Sequence, residues 1–201
     1  MKLVDREQAA AEFLNLLDKA ARRVDDPWFL LPVAAEDTKA PVRRYRERVY
    51  CYELYHQIRV LATGKGSVAA DTQTYVLSGE IDKAGLNAVI DGGLHKPDLV
   101  WHVPGVSEHN AVVVEVKAAD NLQAEPLRKD LRTLRAFLDA ERGYAHAAFL
   151  VYGWATEEAL RQRLLRAADQ LGLPDDVRRR THLLWHPRAR GHIRDLGSLK
   201  H

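Results

Sequence analysis

The chain has 201 residues, enough for one domain of ordinary size and short for two. Apolar residues make up 46% and charged residues 29%, so a real core can be buried, which excludes a disordered, collagen-like or disulfide-scaffold chain. Net charge is +2, and the single cysteine, Cys51, cannot form an internal bridge, which points to a reducing, cytoplasmic location. The charge is uneven. From residue 177 onward seven Lys/Arg stand against one Asp, on an otherwise mildly acidic chain. A basic C-terminal tail suits a polyanionic partner, with a merely solvated surface as the alternative. The N-terminus carries charge where a signal peptide needs apolar residues. The longest uncharged apolar run, 147–155, is nine residues, against about 20 for a membrane span. No membrane association is expected.

Phe13, Leu16, Leu17, Ala20 and Val24 recur at helical spacing, predicting an amphipathic helix over about 5–24, stopped by Asp25-Asp26-Pro27. The stretch 28–40 contains Pro32 and no period, and reads as a loop or short turn. Pro41 suits the first turn of a second helix running to about residue 62, closed by Gly64-Lys65-Gly66. The period then changes to that of strands over 72–79, 97–103 and 111–117, separated by turn residues. Leu127, Leu131, Leu134 and Leu138 predict a helix over about 122–141, ending at Arg142-Gly143. A buried strand follows at 147–152, a helix at 156–171 with Thr156 as N-cap, and a short strand at 181–185. The order ααβββαβαβ predicts one α/β domain with a mixed sheet and helices on both faces. Its core spans about 41–152, with a helical extension over 1–40 and a C-terminal αβ unit and basic tail over 153–201.

Within Ala111-Val112-Val113-Val114-Glu115-Val116-Lys117, alternation places Glu115 and Lys117 on one face of a strand whose faces are otherwise apolar. Buried charges cost several kcal/mol unless compensated. An exposed ion pair on an edge strand is the plain explanation. Asp98 offers another: it opens the preceding strand, and hairpin pairing would bring it beside Glu115 at one end of the sheet. Two carboxylates that close either take up a proton or hold a cation, and hard oxygen donors suit Mg²⁺ or Mn²⁺.

Pro97-Asp98 followed by Glu115-Val116-Lys117 resembles the signature of the PD-(D/E)xK nuclease superfamily. The order of elements over 41–152 is similar to that family's αβββαβ core, the restriction-endonuclease-like fold. The run Tyr52-Glu53-Leu54-Tyr55-His56-Gln57 also resembles uncharacterised prokaryotic members. The resemblance implies a Mg²⁺- or Mn²⁺-dependent endonuclease acting on nucleic acid, with DNA expected. Asp98, Glu115 and the main-chain carbonyl of Val116 would hold the ion. Lys117 would orient or help deprotonate the attacking water, and Glu53, on the first core helix, would hold a second ion or its water shell. A pairing of Glu53 with Arg46, Arg59 or Lys83 is the structural alternative. A defence or repair role, as a homodimer or in a larger defence complex, is the corresponding expectation. The helix after Lys117 lacks the Tyr of the exonuclease-like branch, which favours a restriction-type or stand-alone member. A catalytically inactive nucleic-acid-binding module of the same fold is the second reading.

The remaining polar residues are assigned less chemistry. Glu80 and Lys83 read as a polar turn, and Asp130 as a solvated or helix-pairing group. His56, His95 and His102 match no metal-ligand spacing, and neither a P-loop nor a serine-hydrolase elbow is present. In the tail, Arg178, Arg179, Arg180, Arg188, Arg190 and Arg194 are the expected phosphate contacts.

Overall fold

The computed structural model describes residues 5–34, 41–63, 74–79, 96–139 and 143–200. The expected stop at Gly64-Lys65-Gly66, the start of the first core strand, Glu80, Lys83, His95 and the Arg142 half of the helix exit lie outside these residues.

Helix α1 (Arg6–Ala21) begins where the Asp5 carboxylate accepts the backbone N–H groups of Glu7 and Gln8 at 2.9 and 3.0 Å, filling two of the orphan donors of a helix start. Its buried stripe is Ala9, Ala10, Phe13, Leu17 and Ala20. Residues 28–40 were expected to be a loop or short turn. Instead Asp26–Phe29 form a short helix (α2), and Leu31–Val33 (β1) pair antiparallel with Val42–Arg44 (β2). Pro41 therefore opens a strand rather than a helix, and α3 starts at Glu47 and runs Glu47–Thr63. That helix is less buried than its apolar content suggests. Tyr50, Cys51, Leu54 and Ile58 face inward, whereas Tyr52 and Val60 are exposed.

Six strands form one mixed sheet in chain order: β3 (Val76–Gly79), β4 (Leu99–Val103), β5 (Val106–Ala118), β6 (His146–Tyr152), β7 (Thr181–His186) and β8 (Arg194–Ser198). β3, β4 and β5 are an antiparallel meander, β5, β6 and β7 are parallel, and β8 returns antiparallel. The two parallel connections contain α4 (Ala124–Asp139), then α5 (Glu157–Gln170) with the short α6 (Asp175–Arg180). Connections of that length are what parallel pairing requires. Gly105, at φ 76°, turns the β4–β5 hairpin; the turn is tighter than the gap between the expected strands 97–103 and 111–117.

Alternation along β5 divides the core in two. Val112, Val114, Val116 and Ala118 pack with α1 and α3, while Val113 packs with α4 and α5. A cluster of rings locks the first layer to the sheet. Tyr50 stacks on Tyr152 at 3.9 Å between centroids, Phe29 meets both edge-on, and the Tyr50 hydroxyl lies 2.8 Å from His186 Nδ1. The C-terminal basic segment is no tail: it contributes α6, β7 and β8 to the fold.

Gly153, just past β6, has φ 110°, and a Cβ there would lie 2.9 Å from the Tyr45 ring. Gly153→Ala is therefore expected to destabilise the protein by about 1–3 kcal/mol. Thermal unfolding should register a fall of about 2–4 °C per kcal/mol.

Candidate active site

The β4–β5 register pairs Leu99 with Val114, so Asp98 falls level with Glu115 one step further along. The hairpin argument from sequence thus gave the right pairing. Asp98 Oδ2 accepts the Val116 backbone N–H at 2.7 Å, so the carboxylate extends the ladder just ahead of the start of β4. The Asp98 and Glu115 carboxyls lie close enough for each to influence the protonation of the other. Two carboxyls that close favour a proton on one of them.

Both groups hold that proton unusually well. Burial pushes Glu115 well above the carboxylate range, and the charges of Asp98 and Asp130 push the same way. Asp98 is raised to about 6 by burial, against the lowering effect of the Val116 N–H bond. Glu115 is the more enclosed of the two, at 5% exposure, and burial favours its neutral form the more strongly.

Lys117 is also buried, at 7% exposure. Its partner is not Glu115, as the edge-strand explanation required. Lys117 Nζ sits 2.8 Å from Asp130 Oδ2 of α4 and 3.2 Å from Glu47 Oε1 at the start of α3. Burial works against the ammonium, but these two carboxylates more than offset it and hold its pKa above the ordinary lysine value. Asp130 is accordingly a buried ion-pair residue, not a solvated one. Glu47 Oε2 is buried with no hydrogen-bond partner among the described residues.

Glu53 is not brought to this cluster. Its carboxylate accepts Gln57 Nε2 at 2.7 Å, one turn along the outer part of α3. Glu47 takes the place expected of it, and helical spacing carried the signal. Glu47, Tyr50, Leu54 and Ile58 follow i, i+3, i+7, i+11, so Glu47 extends the buried stripe. Asp130 carries the same signal, lying between Leu127 and Leu134 on the apolar stripe of α4. A pocket of about 460 Å³ opens beside the cluster, lined among the described residues by Glu47, Arg48, Cys51, Tyr52, Tyr55 and Asp98. Of the histidines, His56 is exposed and His102 lies 3.0 Å from the Ser78 hydroxyl.

The C-terminal arginines are largely engaged within the fold. Arg178 is buried, bonding the Leu173 carbonyl and Asp169. Arg180 bonds the Leu138 and Tyr144 carbonyls and Asp176. Arg190 pairs with Asp25 at 2.6 Å, and Arg194 lies over the Trp185 ring. Of the six, Arg179 and Arg188 are exposed without such a contact among the described residues. A shared phosphate-binding tail is not what these residues form.

A divalent cation suits the chemistry of the donor set. Four carboxylates surround one ammonium, and the charge of Asp98 disfavours ionisation of Glu115, a repulsion that a cation could relieve. Among the described residues no three His, Cys, Asp or Glu side chains converge as a metal cage. Two carboxylates with water completing the shell is the Mg²⁺ or Mn²⁺ pattern. The Val116 amide is committed to Asp98. No family model, curated protein or solved structure matches the chain. Among the described residues no helix is long and apolar enough to cross a membrane.

Two variants test this arrangement in the absence of divalent cations. A carboxyl whose folded pKa is about 6 against an ordinary 3.8 binds an extra proton when folded between those values. Wild type should therefore lose stability as pH rises from about 4 to 6. Asp98→Asn does not titrate, and its amide can donate to an ionised Glu115. It should exceed wild type by about 1–2 kcal/mol at pH 7, the gap closing near pH 4 in parallel chemical denaturation series. Lys117→Ala leaves Asp130 buried and unpaired, and should cost about 3–5 kcal/mol. Lys117→Ala with Asp130→Asn should recover most of that loss.

Proposed function

We propose that the protein is a metal-dependent nuclease of PD-(D/E)xK type with a restriction-endonuclease-like core, hydrolysing nucleic-acid phosphodiesters, with DNA as the expected substrate. The observation that carries this reading is the convergence of Asp98, Glu115 and Lys117 at one end of the β4–β5 pair, beside an open pocket. The order α3, β3, β4, β5, α4, β6, with an antiparallel meander followed by a parallel crossover, supports it.

Asp98 and Glu115, with the main-chain carbonyl of Val116, would hold Mg²⁺ or Mn²⁺. When bound, the ion supplies Lewis-acid charge at the scissile phosphate and a water of lowered pKa. The chain's own residues do the remaining work. Lys117 is held as an ammonium by Asp130 and Glu47, so it cannot take a proton from the attacking water. Its role is to hydrogen-bond that water or a non-bridging phosphate oxygen and to offset the charge that develops there. Glu47 borders the pocket beside Lys117, which makes its carboxylate the group placed to accept the proton. Asp130 positions Lys117 from beneath.

Cleavage, assayed on single- and double-stranded DNA and RNA, should require Mg²⁺ or Mn²⁺. Glu115→Ala should abolish both cleavage and the rise in melting temperature that the ion produces in wild type. Saturation at about 100 times the dissociation constant corresponds to roughly 2.7 kcal/mol. Glu47→Ala should slow cleavage by about 10²-fold or more, while Glu53→Ala stays within about twofold of wild type, as expected of a group outside the acid–base machinery. Wild type that binds nucleic acid yet leaves every substrate intact in either metal would establish the inactive binding module instead.

A further inference from the structure

A short basic segment without ion-pair partners among the described residues lies just ahead of α3. Arg43, Arg44 and Arg46 fall within four residues, and all are exposed. The same segment leads directly into Glu47, which contacts Lys117. Between these arginines stands Tyr45, whose hydroxyl accepts the backbone N–H of Trp154 at 3.1 Å. Trp154 is 81% exposed, the most exposed of the large apolar side chains described.

The loop that carries Trp154 is held firmly. The Gly153 N–H bonds the His186 carbonyl at 3.0 Å, and Trp185 Nε1 donates to the Gly153 carbonyl at 3.0 Å. Tyr45 packs closely against Gly153. A large indole face thus stands in water on an anchored backbone, tied through Tyr45 to a segment with three guanidinium groups that have no ion-pair partner among the described residues, at the end of β5 and β6 where the carboxylate cluster lies. Open α/β sheets bind ligands outside the carboxyl ends of their strands. Hydrophobic burial does not explain the ring's position, since it is almost fully solvated.

We propose that this surface binds single-stranded nucleic acid, with backbone phosphates on Arg43, Arg44 and Arg46 and one unpaired base stacked on Trp154. The inference deepens the nuclease reading by assigning the strand state of its substrate, and takes from that reading only that the polymer passes the Glu47–Lys117 site. An exposed aromatic face combined with a basic strip is how sequence-tolerant single-strand binders are built. Paired bases in a duplex present edges, not faces, so duplex could use the arginines but not the ring.

Fluorescence anisotropy with a labelled 16-nucleotide oligo-dT, its duplex and an abasic strand of equal length, all in EDTA, tests this without cleavage. Oligo-dT should bind more tightly than either competitor. Trp154→Ala should weaken oligo-dT binding by about fivefold or more, leave the abasic strand unaffected, and be rescued by Trp154→Phe. Replacing Arg43, Arg44 and Arg46 by Ala should reduce the log–log salt slope by up to about 2 for a single strand, whereas Arg179→Ala with Arg188→Ala leaves it unchanged. All these side chains are exposed, and circular dichroism confirms that each variant folds. Tighter binding of duplex, or wild-type affinity in Trp154→Ala, overturns the proposal. A parallel Mg²⁺ reaction separates the two readings. Trp154-dependent binding without cleavage sinks the nuclease alone, and duplex cleavage indifferent to Trp154 sinks the single-strand surface alone.

Discussion

The structure turns on the burial of charge at the end of β5. Glu115 and Lys117 enter the interior on the face that α4 covers, and each would be prohibitively costly there alone. The surroundings are arranged to compensate them separately. Lys117 is neutralised by Asp130 from α4 and Glu47 from α3, so one side chain ties together the helices on opposite sides of the sheet. Glu115 faces Asp98, next to the neighbouring strand, and burial with the charge of Asp98 pushes its carboxyl toward the protonated form. The first arrangement is complete; the second is a compromise that leaves a carboxylate pair whose repulsion only a proton or a cation relieves. Stability and binding capacity are therefore set against each other at the same few atoms, as functional sites often require.

Position within the sheet explains why this tension can be put to use. Asp98 lies where β4 begins and Glu115 and Lys117 where β5 ends, so the cluster meets solvent through the pocket instead of lying in the middle of the core. The start of α3 and the loop after β6 meet at the same end, joined by Tyr45 and Trp154. Acidic groups are gathered inside and basic groups outside, the arrangement on which the proposed cleavage of a polyanion relies.

Much of the sheet was legible in the sequence because period-two alternation and turn residues are strong signals. The pairing of Asp98 with Glu115 followed from hairpin geometry alone. The errors have definite physical sources. Glu53 was singled out by its resemblance to a first-core-helix Glu, and Glu47 was not considered; tracing the stripe through Tyr50, Leu54 and Ile58 leads back to Glu47. The start of α3 was placed too early because Val42–Arg44 pairs with Leu31–Val33, a contact between segments nine residues apart that no local period announces. The basic tail was counted as charge, yet Arg178, Arg180 and Arg190 are used up by carbonyls and carboxylates that only the folded chain brings to them. β8 was missed because it is short, polar and interrupted by Gly197 at φ 88°.

The central claim is that the Asp98–Glu115 pair is a cation site that holds a proton until the ion arrives. Titration calorimetry of wild type with Mg²⁺ at pH 7, repeated in two buffers of different ionisation enthalpy, tests it directly, because the buffer dependence of the heat counts protons. The account predicts binding with release of about one proton per ion, and no binding in Glu115→Ala. Binding that releases no proton, or an absence of binding at millimolar Mg²⁺ and Mn²⁺, would contradict it.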